Sequence, residues 1–169
     1  MKTKQLILGL ITSVLGVVAS IFGFLKIFGA NFAGEPSPAD EAYGFFGEMD
    51  GLGDMFTLMG KEYAPAFKTI AGVLAIFIAI ATVAYMVLLV LDLKSGTQFS
   101  AIRKIVSIVI AALGVLVAIC LLIYVCGNSV TSSMLGSKAT LKVTCSVFAA
   151  IALTVFPVAA GACGFMAEK

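Results

Sequence analysis

The side chains best suited to covalent chemistry in this sequence are its four cysteines. They are Cys120, Cys126, Cys145 and Cys163. Cys126 ends one long apolar run and Cys145 lies about one turn into the next, so we expect these two at similar depth and within disulfide distance. An oxidising compartment would let them pair. Simple packing as small apolar side chains is the alternative for all four cysteines, and the absence of a Cys-X-X-Cys motif argues against a thiol oxidoreductase.

Other catalytic and metal-binding chemistry has little support. The sequence contains no histidine, the most common general base and metal ligand. The acidic segment from Glu48 to Asp54 could offer oxygens to calcium, but its spacing does not match an EF-hand loop, and a solvated acidic face is the simpler interpretation. The net charge of +2 and the lack of a basic cluster argue against nucleic acid as a partner. We therefore expect no catalytic residue, no metal site and no cofactor.

The composition indicates that most of the chain lies in lipid. Hydrophobic residues make up 61% of the sequence and charged residues 12%, whereas soluble domains carry about a quarter charged residues. Four apolar runs are long enough to cross the hydrocarbon core as helices. They cover about residues 5–28, 65–93, 100–126 and 142–165. The first run could be a signal peptide, but its length favours an uncleaved span, so we expect residues 1–169 to form a single membrane domain.

Small residues recur along each run with a heptad spacing. Gly9, Gly16 and Gly23 illustrate the pattern, since they lie seven residues apart in the first run. Small side chains on one stripe let a neighbouring helix approach closely, and a period of 3.5 favours a left-handed crossing. The glycines assigned to helix packing are Gly9, Gly16, Gly23, Gly72, Gly114 and Gly164. The prediction is an all-α integral membrane protein built as a left-handed four-helix transmembrane bundle.

The segment from residue 29 to residue 64 is the long polar interruption between the first two spans, and it holds seven of the nine acidic residues. Ser37-Pro38-Ala39-Asp40 is typical of a helix start. Apolar residues then recur at helical spacing. We expect residues 38–60 to form a short amphipathic helix over the mouth of the bundle. The candidate interaction face comprises Phe45, Phe46, Met49, Leu52, Phe56 and Met59.

The basic residues predict an orientation. Lys94, Arg103 and Lys104 flank the short turn between the second and third spans, which places that turn and both termini in the cytoplasm by the positive-inside rule. The 29–64 and 127–141 loops are then extracytoplasmic, and we expect a multi-pass protein of the plasma membrane. This layout of a long first and a short second outer loop resembles the tetraspan claudin-like membrane proteins. The first loop contains neither tryptophan nor cysteine, so the resemblance transfers no functional residue.

These features favour a non-enzymatic scaffold or accessory subunit, which contacts the lipid bilayer and binds a protein partner or a second copy through its outer loop and small-residue helix faces. An oligomeric pore or neutral-solute channel, including a holin-like pore, is the alternative. A lipid-handling enzyme is the third hypothesis. The polar groups within the spans lie on or beside the packing stripes, which favours the scaffold, because a pore requires a separate polar helix face.

Overall fold

A computed structural model describes residues 3–33, 35–36, 41–96, 98–134 and 137–167. Within these residues, four helices are long and apolar enough to cross a membrane. They are α1 (Thr3–Phe22), α3 (Ala66–Ser95), α4 (Ser100–Gly127) and α5 (Val147–Ala167). Between them lie the strands β1 (Phe28–Phe32) and β2 (Glu35–Pro36), the short helix α2 (Leu52–Leu58), and the strands β3 (Ser129–Met134) and β4 (Ser137–Cys145). The chain is a mostly helical, multi-pass membrane protein.

Helices α1 and α3 approach closely along a row of glycines. A Cβ atom added to Gly16 would lie 2.5 Å from Oγ1 of Thr82, which is closer than van der Waals contact allows. Thr82 is buried and β-branched, so its side chain cannot easily move aside. The matched pairs along the interface are Gly9 with Leu89, Gly16 with Thr82, and Gly23 with Ala75. From Gly9 to Gly23, which directly follows α1, each step of seven residues therefore corresponds to a step of seven residues back along α3.

The contact between α4 and α5 repeats this register. A Cβ atom added to Gly114 would lie 2.8 Å from the Cβ of Pro157, and one added to Gly164 would lie 2.7 Å from the Cβ of Ser107. Positions 107 and 114 of α4 thus meet positions 164 and 157 of α5. Gly72 differs, because its close neighbour is Phe45, whose Cβ would lie 2.6 Å away. All six glycines assigned to packing lie at close contacts, and four of these contacts join two helices, those of Gly9, Gly16, Gly114 and Gly164.

A four-stranded antiparallel sheet covers one end of the bundle, in the order β2-β1-β4-β3. The all-α prediction missed it. In β4, Ala139, Leu141 and Val143 are buried whereas Lys138 and Lys142 are exposed, which is the alternation of a half-buried strand. This segment had been assigned to a loop and to the start of the fourth span, and that span begins instead at residue 147.

The first span also ends earlier than predicted, because the chain leaves the helix for the sheet. Helix α1 stops at Phe22, and β1 begins at Phe28 and pairs with β4 from Phe28–Cys145 to Phe32–Leu141. The Tyr43 N–H donates to the Phe28 carbonyl at 3.0 Å, and the Phe28 N–H donates to the Tyr43 carbonyl at 3.0 Å. We call the described residues within 23–65 and 128–146 together the sheet layer.

The long helix predicted over residues 38–60 is replaced by shorter pieces in the described residues. The proposed start, Ser37-Pro38-Ala39-Asp40, lies outside them. Residues 42–51 are not helical, and α2 begins after Gly51, whose φ of 73° lies in the left-handed region that favours glycine. The bridge between Tyr43 and Phe28 holds the first part of the segment against the sheet, and this pairing competes with helix formation.

The close contact at Gly16 predicts a specific sensitivity to substitution. We expect Gly16→Ala to destabilise the protein by about 1–3 kcal/mol, because the added methyl group overpacks against Thr82. Gly127→Ala is the matched control, since a Cβ there has no neighbour within 4 Å. The measurement is thermal unfolding in detergent. Equal melting temperatures for the two variants would contradict the close α1–α3 contact.

Candidate functional site

Aromatic side chains form the interior of the sheet layer, with Phe28 at the centre. Its ring lies edge-on to Phe45 and to Tyr124 at centroid distances of 5.2 Å, and stacks with Tyr43 at 5.7 Å. Each of these four side chains is at most 3% exposed. Such aromatic pairs contribute beyond the area that they bury. The cluster therefore joins β1, the segment after it and the end of α4 into one packed unit.

Three tyrosine hydroxyl groups form a chain beside these rings. The Tyr124 hydroxyl lies 2.9 Å from that of Tyr43 and 2.7 Å from that of Tyr63. Burial raises the pKa of Tyr43 and of Tyr63 above the ordinary tyrosine value. Tyrosine phenols are protonated at neutral pH, and burial keeps those of Tyr43 and Tyr63 still further from ionisation, so they remain available as hydrogen-bond donors. The chain connects α4 to both ends of the 43–63 segment.

Asn128 joins three parts of the chain just beyond the end of α4. Its side chain donates to the carbonyls of Tyr124 (2.9 Å) and Ala64 (3.1 Å) and accepts the Ala64 N–H at 3.0 Å. Its own carbonyl accepts the Val143 N–H at 2.9 Å. Asn128 is 1% exposed, so these bonds satisfy polar groups that have no access to water.

Two lysines reinforce the same junction. The buried Lys68 donates from Nζ to the Gly47 carbonyl, and its Nζ lies 4.9 Å from the centre of the Tyr43 ring. This cation–π contact holds the non-helical segment against α3. Lys61 donates from Nζ to the Gly127 carbonyl and to the Ser129 carbonyl, the latter at 2.8 Å. A cation at this position also complements the dipole at the C-terminus of α4.

The face predicted to bind a partner mostly contacts the chain itself. Phe45, Leu52, Phe56 and Met59 are at most 7% exposed, and Met49 packs against the same core. Phe46 is the exception, with 59% of its surface exposed. These apolar side chains pack over the end of the bundle because burial there removes them from water. They are therefore not accessible to a partner.

The two cysteines predicted to pair line one apolar groove between α4 and α5. Cys126 and Cys145 lie there with Val125, Val147 and Thr154. All four cysteines are free thiols in this structure, and the disulfide stays a prediction. Burial raises the pKa of the Cys145 thiol to about 11. Cys126 is exposed, so it is the more accessible of the two sulfur atoms.

The acidic segment after Gly47 is open to solvent. Glu48 and Asp50 line a surface depression together with Glu41 and Lys26. Among the residues that the structure describes, no group of three or more His, Cys, Asp or Glu side chains is arranged to hold a metal ion. The lysine contributes a positive charge to the depression, which works against binding of a cation there.

A buried ion pair at the opposite end of the bundle was missed by the sequence analysis. The Arg103 Nε lies 2.7 Å from the Asp92 Oδ2, and both side chains are fully buried. The other carboxylate oxygen, Oδ1, accepts the Phe99 N–H at 2.8 Å. Asp92 therefore binds both the first turn of α4 and the connection that precedes it. The available signal was an acid in the last turns of one span and an arginine in the first turn of the next.

The aromatic and polar junction in the sheet layer was missed as well. Tyr43, Tyr63 and Tyr124 are far apart in sequence, and only the sheet brings them together. The one local signal was the asparagine directly after an apolar run, at Asn128. No protein-family model, curated protein or solved structure matches the chain.

The buried ion pair predicts that removing one of its two charges destabilises the protein more than removing both. We expect Arg103→Met to destabilise the protein by about 3–5 kcal/mol, because Asp92 is left buried with no counter-charge. The double variant Asp92→Asn with Arg103→Met should recover most of that loss, since asparagine can still accept the Phe99 N–H. Denaturant unfolding in detergent measures both variants. A double variant no more stable than Arg103→Met alone would contradict the role of the pair.

Proposed function

We propose that the protein is a non-enzymatic membrane scaffold or accessory subunit that presents the sheet layer to a protein partner. The observation that carries this proposal is the buried, hydrogen-bonded connection between the sheet layer and the bundle. Phe28, Tyr124 and Asn128 tie the strands directly to the helix ends through buried rings and satisfied hydrogen bonds. A rigid, preorganised surface loses little conformational entropy on binding. The heptad register at both helix interfaces supports a left-handed bundle.

The polar groups inside the spans support a scaffold over a pore. A channel would direct hydroxyl groups towards a water-filled path. Here six serine and threonine hydroxyl groups in the helices donate to carbonyl groups of their own helix, and the Thr12 hydroxyl also lies 3.1 Å from the Ala160 carbonyl of α5. The bonds are Thr12 to Leu8, Ser13 to Gly9, Ser20 to Gly16, Thr82 to Ile78, Ser107 to Lys104 and Thr154 to Ala150. These groups serve the packing of the bundle.

The proposal includes an orientation in the plasma membrane. Lys94 and Lys104 lie at the end of the bundle opposite the sheet layer, and their charges favour the cytoplasmic side. Arg103 is neutralised by Asp92 and adds little to this preference. The sheet layer then faces the outside, and both termini lie in the cytoplasm.

Cysteine labelling tests this orientation. In a background without native cysteines, Lys138→Cys should react with a membrane-impermeant maleimide on intact cells, because Lys138 is an exposed residue of β4. Lys94→Cys is the control and should react only after the membrane is opened. The reverse pattern would overturn the orientation.

Capture from native membranes tests the scaffold function. Phe46 is the exposed member of the apolar face, so Phe46→Asp should leave the fold intact and abolish recovery of the partner. Thr57→Asp adds the same charge at another exposed position of the sheet layer and should retain the partner. Melting temperatures of both variants confirm that they fold.

The pore function gives a different outcome. If the purified protein conducts a neutral solute across liposomes and the Phe46→Asp variant conducts equally well, the scaffold proposal is overturned. Retention of every captured protein by Phe46→Asp would likewise remove Phe46 from the binding surface.

A further inference from the structure

Strand β3 forms one edge of the sheet, because it pairs with β4 and stands last in the strand order. Its ladder with β4 runs through six consecutive residue pairs without a bulge. The strand reads Ser-Val-Thr-Ser-Ser-Met and contains neither a charged residue nor a proline. Edge strands are usually protected from further pairing by lysine, proline or bulges. This edge carries none of these features within Ser129–Met134.

The register shows which main-chain groups of β3 face outwards. In an antiparallel ladder, alternate residues turn their N–H and C=O groups towards the neighbouring strand and away from it. The Val143 N–H donates to the Asn128 carbonyl, and the hydroxyl groups of Thr131 and Thr140 lie 3.0 Å apart, as in a non-hydrogen-bonded pair. Thr131 and Ser133 therefore direct their N–H and C=O groups to the open edge.

Lys61 limits the region of the edge that can pair. Its Nζ lies 2.8 Å from the Ser129 carbonyl, so this acceptor is already bound. Two consecutive outward residues remain, Thr131 and Ser133, and both are exposed. Together they offer two donors and two acceptors.

We propose that two copies of this chain pair antiparallel through β3, centred on Ser132. In this register, Thr131 of one copy lies opposite Ser133 of its partner, and the reverse pair is equivalent by two-fold symmetry. Each of these two pairs exchanges two main-chain hydrogen bonds, so every outward group of Thr131 and Ser133 is satisfied. Centring on Thr131 instead would require the Ser129 carbonyl that Lys61 occupies.

Charge supports a second copy as the occupant of the edge. Like charges directly opposite each other would oppose self-pairing, and β3 has none. The nearest cation on the neighbouring strand is Lys138, which lies opposite Ser133. In the paired dimer the two Lys138 residues are separated by three strand spacings, about 14 Å, which exceeds the Debye length of about 10 Å at 0.1 M salt. The inference rests on the proposed function and deepens it, since it names one partner of the sheet layer.

Disulfide cross-linking in native membranes tests this pairing on the full chain. In a variant lacking the four native cysteines, Ser132→Cys should form a disulfide-linked dimer under mild oxidation, because the two positions face each other in a close, non-hydrogen-bonded pair. Thr140→Cys is the matched control, since Thr140 lies on β4, one strand away from the edge, and should not cross-link. A Ser132→Cys variant that cross-links no more than Thr140→Cys overturns the proposal.

A proline substitution tests whether the main-chain edge carries the contact. Thr131→Pro removes an N–H that points outwards, so it leaves the ladder with β4 in place. Added to Ser132→Cys, it should abolish the cross-link while the melting temperature is preserved. A cross-link that persists in the folded Thr131→Pro variant overturns pairing through β3. The cross-link is measured independently of partner capture and of solute flux, so failure of this inference is distinguishable from failure of the scaffold function.

Discussion

Main-chain polar groups need hydrogen-bond partners where the chain leaves the membrane, and the rest of this structure depends on that requirement. Asn128 supplies such partners at the point where α4, α3 and β4 come together. Helix α4 ends there, α3 begins alongside, and β4 passes within hydrogen-bond distance. Its side chain has an acceptor and two donors, so it can serve both the end of α4 and the residue before α3, which a serine or an aspartate could not. Its main-chain carbonyl binds β4. The aromatic residues around Phe28 then exclude water from the junction, which strengthens its hydrogen bonds.

The parts of the fold that depend on local composition were predictable. The second and third spans were placed at 65–93 and 100–126, within two residues of α3 and α4, because uninterrupted apolar runs are unambiguous in lipid. The assignment of six glycines to helix packing rested on their spacing. Gly16 and Gly114 lie at contacts where no larger side chain fits. Close helix contacts of this kind require small residues, and a heptad spacing of small residues therefore indicates them.

The parts that depend on pairing between distant segments were not predictable in the same way. Val143 and Cys145 extended an apolar run and were counted as membrane helix, although the alternation around Leu141 was present in the sequence. Whether a segment forms a strand depends on the strand that it pairs with, and the local sequence does not identify that strand. Here β1 and β4 are more than a hundred residues apart. The same holds for the tyrosine hydroxyl chain. The pairing of Asp92 with Arg103 is different, because an acid and an arginine at facing ends of consecutive spans were a local signal that was not used. The apolar face around Phe56 was recognised, but the bundle end, which was expected to support it, buries nearly all of it.

The pairing of Asp92 with Arg103 also has a consequence for how the protein is made. A lone charged residue costs about 2.5–3.5 kcal/mol at insertion when it lies at the centre of a spanning helix, and less towards its ends. Helices α3 and α4 each carry a fully buried charge near the same end of the bundle. The two charges neutralise each other only when both helices are present and antiparallel. The short connection at residues 96–99 allows them to meet as soon as α4 has left the ribosome. Helices α3 and α4 are therefore best delivered to the bilayer together as a helical hairpin, with the ion pair already formed, and α1 and α5 can then assemble around it.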